Sequence, residues 1–249
     1  MIVLLPPSET KNDGGDGAPL DVRTLAMPRL ASRRRVVVRA VRTLAADVDS
    51  AVAALKLGRT QHAEVARNRA VARSATMAAI DRYTGVLYEG LRAETLTDDE
   101  RAFAHGHVLI HSALLGPVAA LDLIPAYRLS HDSRLPELSL RTHWNAAVSR
   151  ELAALPGLLL DLRSEGYVAL GAAPDRGDSV YLRVLTVDTE GRRRALNHFN
   201  KKAKGEFTRW IITSGVDVDT VSELTERAAS DGWRLEPVPG RPRELALLV

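Results

Sequence analysis

The 249-residue chain contains no cysteine. Disulfides, cysteine-ligated zinc, iron–sulfur clusters and cysteine nucleophiles are therefore excluded, and a cytoplasmic setting fits. Long apolar runs are also missing. No stretch approaches the roughly 18 apolar residues of a membrane span, so no membrane association is expected. The apolar run Met1-Ile2-Val3-Leu4-Leu5 has no basic segment before it and is too short for a signal sequence. Internal repeats, low-complexity linkers and a G-x-S-x-G nucleophile elbow are absent as well. Net charge is small, +3, so any basic function must come from clustering. Arginine dominates the bases, and its planar fork suits phosphate and carboxylate better than lysine does.

What is present reads as a mixture of strands and helices without strict alternation. Residues 2–5 form a short buried strand that ends at Pro6-Pro7, and residues 8–20 form a loop. Residues 28–57 have helical period, with Val36, Val37, Ala40, Val41 and Leu44 on one side. Residues 60–93 read as helical in two pieces, broken near Thr84-Gly85. A strand is expected at Val108-Leu109-Ile110 and another at residues 158–162. Trp144, Val148 and Leu152 follow the i, i+4, i+8 spacing of a helix over 143–155. Residues 179–187 alternate as a strand, and the turn signal at 188–191 makes 179–199 a hairpin. Helical period returns over 199–214, with Phe199, Ala203, Phe207, Trp210, Ile211 and Ser214 on one face. A short helix over 221–232 and a closing strand region complete the chain. The expected fold class is α+β (mixed α/β), as one domain spanning residues 1–249.

Charge clusters in three places. Residues 192–209 hold Arg192, Arg193, Arg194, Lys201, Lys202, Lys204 and Arg209 against one acid, Glu206. Lys201, Lys204 and Thr208 are expected on the outward face of the helix, near an N-terminus where backbone N–H groups favour an anion. Asn197 or Asn200 would cap it. A solvated basic face on an ordinary amphipathic helix gives the same pattern. Residues 29–43 carry Arg29, Arg33, Arg34, Arg35, Arg39 and Arg42 and no acid. Arg35, Arg39 and Arg42 keep helical spacing and would track a phosphate backbone, or simply solubilise the helix. Residues 55–65 resemble a helix-hairpin-helix, in which a tight glycine turn offers N–H groups to a phosphate. Lys56 stands at the usual glycine position and His62 at the usual small residue, so a generic helical hairpin is the other reading.

Two further constellations bear on chemistry. His105, His107 and His111 are spaced H-x-H-x3-H, and within a strand His107 and His111 would face the same way. No acidic ligand lies near them, and neither a metal nor a cofactor is expected. Ser112, Asp122 and His198 make a hydrolase triad on paper only.

Five segments, in order, resemble the YaaA-like peroxide-stress family, in a form similar to its actinobacterial members. They are residues 4–11 (LLPPSETK), residues 82–88 (RYTGVLY), residues 112–116 (SALLG) with 121–129 (LDLIPAYRL), residues 161–164 (DLRS) with Tyr167, and residues 198–205 (HFNKKAKG) with Arg209. Glu9 stands where other forms of the first motif carry lysine. The resemblance implies a role in the response to hydrogen peroxide, with lowered free intracellular iron. It also implies a family-specific fold with a central mixed sheet, a positively charged cleft and a helix-hairpin-helix-like element. The activity it suggests is binding of duplex or distorted DNA, with Arg35, Arg39, Lys56, Arg59 and Lys202 as expected contacts. The motif residues equally suit a pocket for a phosphate-bearing or nucleotide-like ligand. Its expected lining is Ser8, Lys11, Tyr83, Tyr127, Arg128, Asn200, Lys201, Lys204 and Arg209. If the chain is an enzyme, Ser112, Asp122, Arg128, His198 and Lys201 are the residues expected to act.

Overall fold

The structure is a computed structural model that describes residues 1–58, 61–187, 193–195 and 199–249. Arg59, Arg192, Asn197, His198 and the expected turn at 188–191 lie outside the described residues. Strand β1 (Ile2–Leu5) is central to the main sheet. Its four residues are all apolar, as a strand covered on both faces requires. It pairs in parallel with β3 (Val108–Ser112) on one side and β6 (Leu159–Asp161) on the other. β6 pairs in parallel with β7 (Ser179–Val187), and β7 with β10 (Arg241–Leu248). Antiparallel strands close both edges: β4 (Gly116–Ala119) on β3, and β9 (Arg234–Val238) on β10. The order is β4-β3-β1-β6-β7-β10-β9, with β8 (Arg193–Ala195) paired to the far end of β7. A separate two-stranded sheet joins β2 (Thr76–Ala78) to β5 (Leu123–Pro125).

Ten α-helices surround these strands among the described residues: α1 (Ala31–Leu44), α2 (Val48–Ala54), α3 (Ala63–Ala70), α4 (Ala79–Arg82), α5 (Val86–Leu91), α6 (Asp98–His107), α7 (Leu140–Ala153), α8 (Glu165–Val168), α9 (Phe199–Thr213) and α10 (Val221–Ser230). Four of their starts, those of α2, α6, α7 and α10, are marked by a capping side chain. Thr97 with Glu100 and Thr220 with Glu223 form capping boxes for α6 and α10, and Ser139 caps α7. Trp144, Val148 and Leu152 are fully buried on one face of α7, and the Trp144 indole donates to the carbonyl of Ala113 at 2.9 Å.

The mixed α/β fold class, the strands at 2–5 and 108–110, and the antiparallel pairing of residues 185–187 with 193–195 match the sequence expectation. Three expectations change. The helix over 28–57 is two helices, because Asp47 starts a new one by accepting from the Ser50 N–H. Its buried stripe is Arg34, Val37, Val38, Val41 and Leu44, whereas Val36 is exposed. The segment 60–93 breaks at Gly85 as expected, where φ is +95°, but it also contains β2. Thr76–Ala78 is a strand only because Leu123–Pro125 pairs with it, a partner distant in sequence.

Candidate functional site

Parallel strands deliver their carboxyl ends to one rim, and three motif segments begin there. β1 runs into the 6–12 loop, β3 ends at Ser112, and β6 ends at Asp161. Lys11 returns toward the sheet through a bridge to Tyr83. Its ammonium donates to the carbonyls of Ser8 (2.9 Å) and Glu9 (3.3 Å) and sits 4.1 Å from the centroid of the Tyr127 ring and 5.3 Å from that of Tyr83. Burial, and next the charge of Arg128, lower its pKa to about 7.

Beneath Lys11 runs a chain of hydroxyls. Ser112 Oγ accepts from the N–H groups of Leu114 (3.1 Å) and Leu115 (3.0 Å). Both lone pairs are then occupied, so its own proton goes to Tyr127 Oη at 2.7 Å. Tyr127 in turn donates to Tyr83 at 2.8 Å. Burial pushes both phenols well above their ordinary range, so they remain protonated donors at neutral pH. Tyr88 braces the same loop by donating to the carbonyl of Pro6 at 2.9 Å.

Arg128 closes the other side. Its main chain is clamped by Asn68 of α3, whose amide takes the Arg128 N–H and donates to its carbonyl, both at 2.8 Å. Its guanidinium donates to the Glu9 carboxylate at 2.7 Å and to the Glu9 carbonyl at 3.5 Å. Behind β6, Arg163 is fully buried between Asp161 (2.6 Å) and His111 Nδ1 (2.7 Å). Because the guanidinium must donate, His111 Nδ1 accepts, and its proton lies on Nε2, a buried atom without a partner among the described residues.

Helix α9 meets the rim differently from expectation. Lys204 and Thr208 face inward, not outward. Lys204 donates to the carbonyl of Leu162 at 2.9 Å, with its amine 5.6 Å from the Tyr181 ring centroid. Burial lowers its pKa to about 8 against the opposing pull of Asp161. Thr208 donates back to the Lys204 carbonyl. Lys201 stays exposed, and Lys202 is paired with Glu206 at 3.6 Å. Asn200 lies inside the first turn of α9 rather than at its cap, with its Oδ1 buried and without a hydrogen-bond partner among the described residues. Arg209 donates to the carbonyls of Leu91 and Arg92 at the end of α5.

The remaining candidates lie elsewhere. Asp122 Oδ2 accepts from the N–H groups of Ala26 (2.8 Å) and Ala119 (2.9 Å), and no described contact joins it to Ser112. His107 ends α6 while His111 lies in β3, so the two do not share a strand. Among the described residues no group of three or more His, Asp or Glu side chains is placed to hold a metal. Lys56 adopts a left-handed conformation, φ +55°, of the kind glycine favours, between α2 and α3, and its amine pairs with Asp132 at 2.6 Å. Arg35 and Arg39 project from α1 and, with Arg42 and Arg23, line a groove of about 500 Å³ that runs beside Asp21 and Ala72. Arg23 is held by Asp21 at 2.8 Å. Arg35, Arg39 and Arg42 are exposed and make no hydrogen bond or ion pair among the described residues.

Sequence reasoning missed Asn68 and the part Glu9 takes at the rim. Asn68 sits in a polar helical stretch with no local signal, since its partner is sixty residues away.

A family model described as "Peroxide stress protein YaaA" matches residues 1–238. A UPF0246 protein of Corynebacterium glutamicum strain R is 37% identical, over 100% of both chains. One from Streptomyces coelicolor is 37% identical over 100% of this chain and 98% of its own length. One from Salinispora tropica is 31% identical over 100% and 94%. The match thus takes in every strand from β1 through β9 and with them the whole strand-end rim, and the chain belongs to the YaaA family of peroxide-stress proteins.

Proposed function

We propose that this chain acts in the peroxide-stress response by binding DNA, and that the arginine groove on α1 is the contact surface. The observation that carries the reading is the set Arg35, Arg39 and Arg42, at i, i+4 and i+7 on one exposed face with no hydrogen bond or ion pair among the described residues. Their spacing covers about 10 Å of helix axis at roughly 1.5 Å per residue. That is about three steps of a duplex strand at roughly 3.4 Å each. Lys56 and Lys202 each already hold an acid, so they add less to this surface than the groove does. The left-handed turn at Lys56 supports a helix-hairpin-helix-like element between α2 and α3.

The test is polarisation of a fluorescent duplex titrated at several salt concentrations. Binding should weaken steeply with salt. The triple variant Arg35→Glu/Arg39→Glu/Arg42→Glu should bind about 100-fold or more weakly and flatten the log–log salt slope by about 2.7, at roughly 0.9 for each phosphate no longer neutralised. A wild-type protein that gives no shift at low salt, or a triple variant that binds normally, defeats the proposal. In this reading the lowering of free intracellular iron follows from DNA binding. Peroxide-stressed cells carrying the triple variant should then hold as much free iron as cells lacking the protein, measured by electron paramagnetic resonance of chelated iron.

A further inference from the structure

The chain leaves β1 toward β3 on one side of the sheet and leaves β6 toward β7 on the other. β1 and β6 are neighbours, so the crossovers diverge between their carboxyl ends. Open α/β sheets leave a ligand crevice at that point. Glu9 stands in the loop that leaves β1 at this point. Its carbonyl accepts from both Lys11 (3.3 Å) and Arg128 (3.5 Å), and its carboxylate accepts from Arg128 (2.7 Å). Tyr167 of α8 borders the same place. Burial, then Tyr127, then the Glu9 charge hold its phenol above the ordinary range.

The pairing is lopsided. The Arg128 side chain is 10% exposed, whereas that of Glu9 is 61% exposed. Glu9 is the one ion-pair partner of Arg128 among the described residues. A well-buried guanidinium is a fixed feature here, because Asn68 locks its main chain. The carboxylate opposite it is not fixed, since water solvates it readily and an exposed ion pair is worth little. Next to this pair the hydroxyl chain from Ser112 through Tyr127 ends on Tyr83. The polarity set by Ser112 leaves the Tyr83 proton without an acceptor in that chain. Glu64 and Arg67, bonded to each other at 2.7 Å, are the remaining charged groups that act on Lys11.

We propose that this crevice binds a small organic carboxylate, with Glu9 as its built-in stand-in. The ligand carboxylate takes the place of the Glu9 carboxylate on Arg128. A second ligand oxygen, a carbonyl or hydroxyl one carbon away, accepts from Tyr83 beside the Lys11 ammonium. Exchange of one carboxylate for another leaves the charge of the buried cluster unchanged, and Glu9 moves into water. A dianionic phosphate would instead change that charge, and inorganic phosphate has no separate carbonyl or hydroxyl one carbon away to meet Tyr83.

The site is separate from the groove on α1, and its test is independent of DNA. The full chain is titrated with pyruvate, lactate, succinate and inorganic phosphate, followed by thermal shift and calorimetry. Pyruvate or lactate should raise Tm more than phosphate does. Glu9→Gln, a surface change, should tighten carboxylate binding about fivefold, the scale of one exposed ion pair. Arg128→Lys should abolish it. Tyr83→Phe should weaken pyruvate and lactate while leaving succinate unchanged. DNA affinity of Glu9→Gln should equal that of wild type. The proposal is overturned if no carboxylate shifts the folded Glu9→Gln protein, if Glu9→Gln binds no tighter than wild type, or if phosphate is the preferred ligand.

Discussion

Arg34, Arg82 and Arg163 are fully buried, and each directs its guanidinium at main-chain carbonyls. Arg34 donates to Leu115 (2.8 Å), Ala26 (2.6 Å) and Pro117 (2.9 Å), and Arg82 to Asn12 (2.6 Å) and Gly14 (2.9 Å). Arg163 reaches Gly171 at 2.9 Å. Apart from Pro117 in β4, these carbonyls lie in loops that carry no regular structure of their own. Arg34 stands in the same basic run as Arg35, and residue type does not separate them. Position does: Arg34 shares the stripe of Val37, Val38, Val41 and Leu44. Lys204 teaches the same lesson, since its period matches the buried face of α9 and its charge hides that. Lys11 allows a direct measurement. Its folded pKa, about 7, lies below the ordinary 10.5 because burial, and next Arg128, disfavour the charged form. Between those values the unfolded chain binds more protons, so stability rises with pH and is lost as pH falls through 7. The difference in unfolding free energy between wild type and Lys11→Met should therefore grow from pH 7 to 10, by up to several kcal/mol at about 1.4 kcal/mol per unit. A Lys11 carbon-13 resonance that titrates near 10.5 instead would disprove it.

Helices α5 and α9 touch backbone to backbone. A Cβ at Gly205 would lie 1.9 Å from the Leu87 carbonyl oxygen, and one at Gly90 would lie 2.6 Å from that of Lys202. No side-chain adjustment relieves a clash with a carbonyl. Gly205→Ala should thus cost about 3 kcal/mol or more in urea unfolding. Gly106→Ala in α6, where nothing lies within 4 Å, should change stability by no more than about 1 kcal/mol. This crossing matters for the rim, because α5 carries Tyr88, which holds the loop after β1, and α9 carries Lys204. The elements built on continuous apolar runs, β1, β3 and β6, were legible from sequence, as was α7 from its i, i+4, i+8 stripe. β2 was not, since only a strand distant in sequence makes it one. The sequence motifs group Lys11, Tyr83, Ser112, Tyr127 and Arg128, which hydrogen bonds, ring contacts and a shared Glu9 carbonyl link at the rim, but they group Asp122 with them, and it holds Ala26 and Ala119 instead. The polarity of the hydroxyls was not legible, because it depends on the two N–H groups that Ser112 accepts.

Across the whole molecule the sheet is assembled out of sequence order. β10 lies between β7 and β9, in register from Glu244↔Tyr181 to Leu248↔Leu185 on one side. A chain stopped at residue 240 removes that strand and leaves β7 and β9 without a common neighbour. It should show no cooperative unfolding transition by circular dichroism, and a compact, cooperatively melting product would contradict this. β1 poses the same problem in time. A ribosome completes β1 well before its two partners, which are made only at residues 108–112 and 159–161. At about 5–20 residues per second, the second partner follows roughly 8 to 30 s later. Until then one edge of β1 has no strand to pair with, so the sheet's central strand must wait on segments more than a hundred residues downstream.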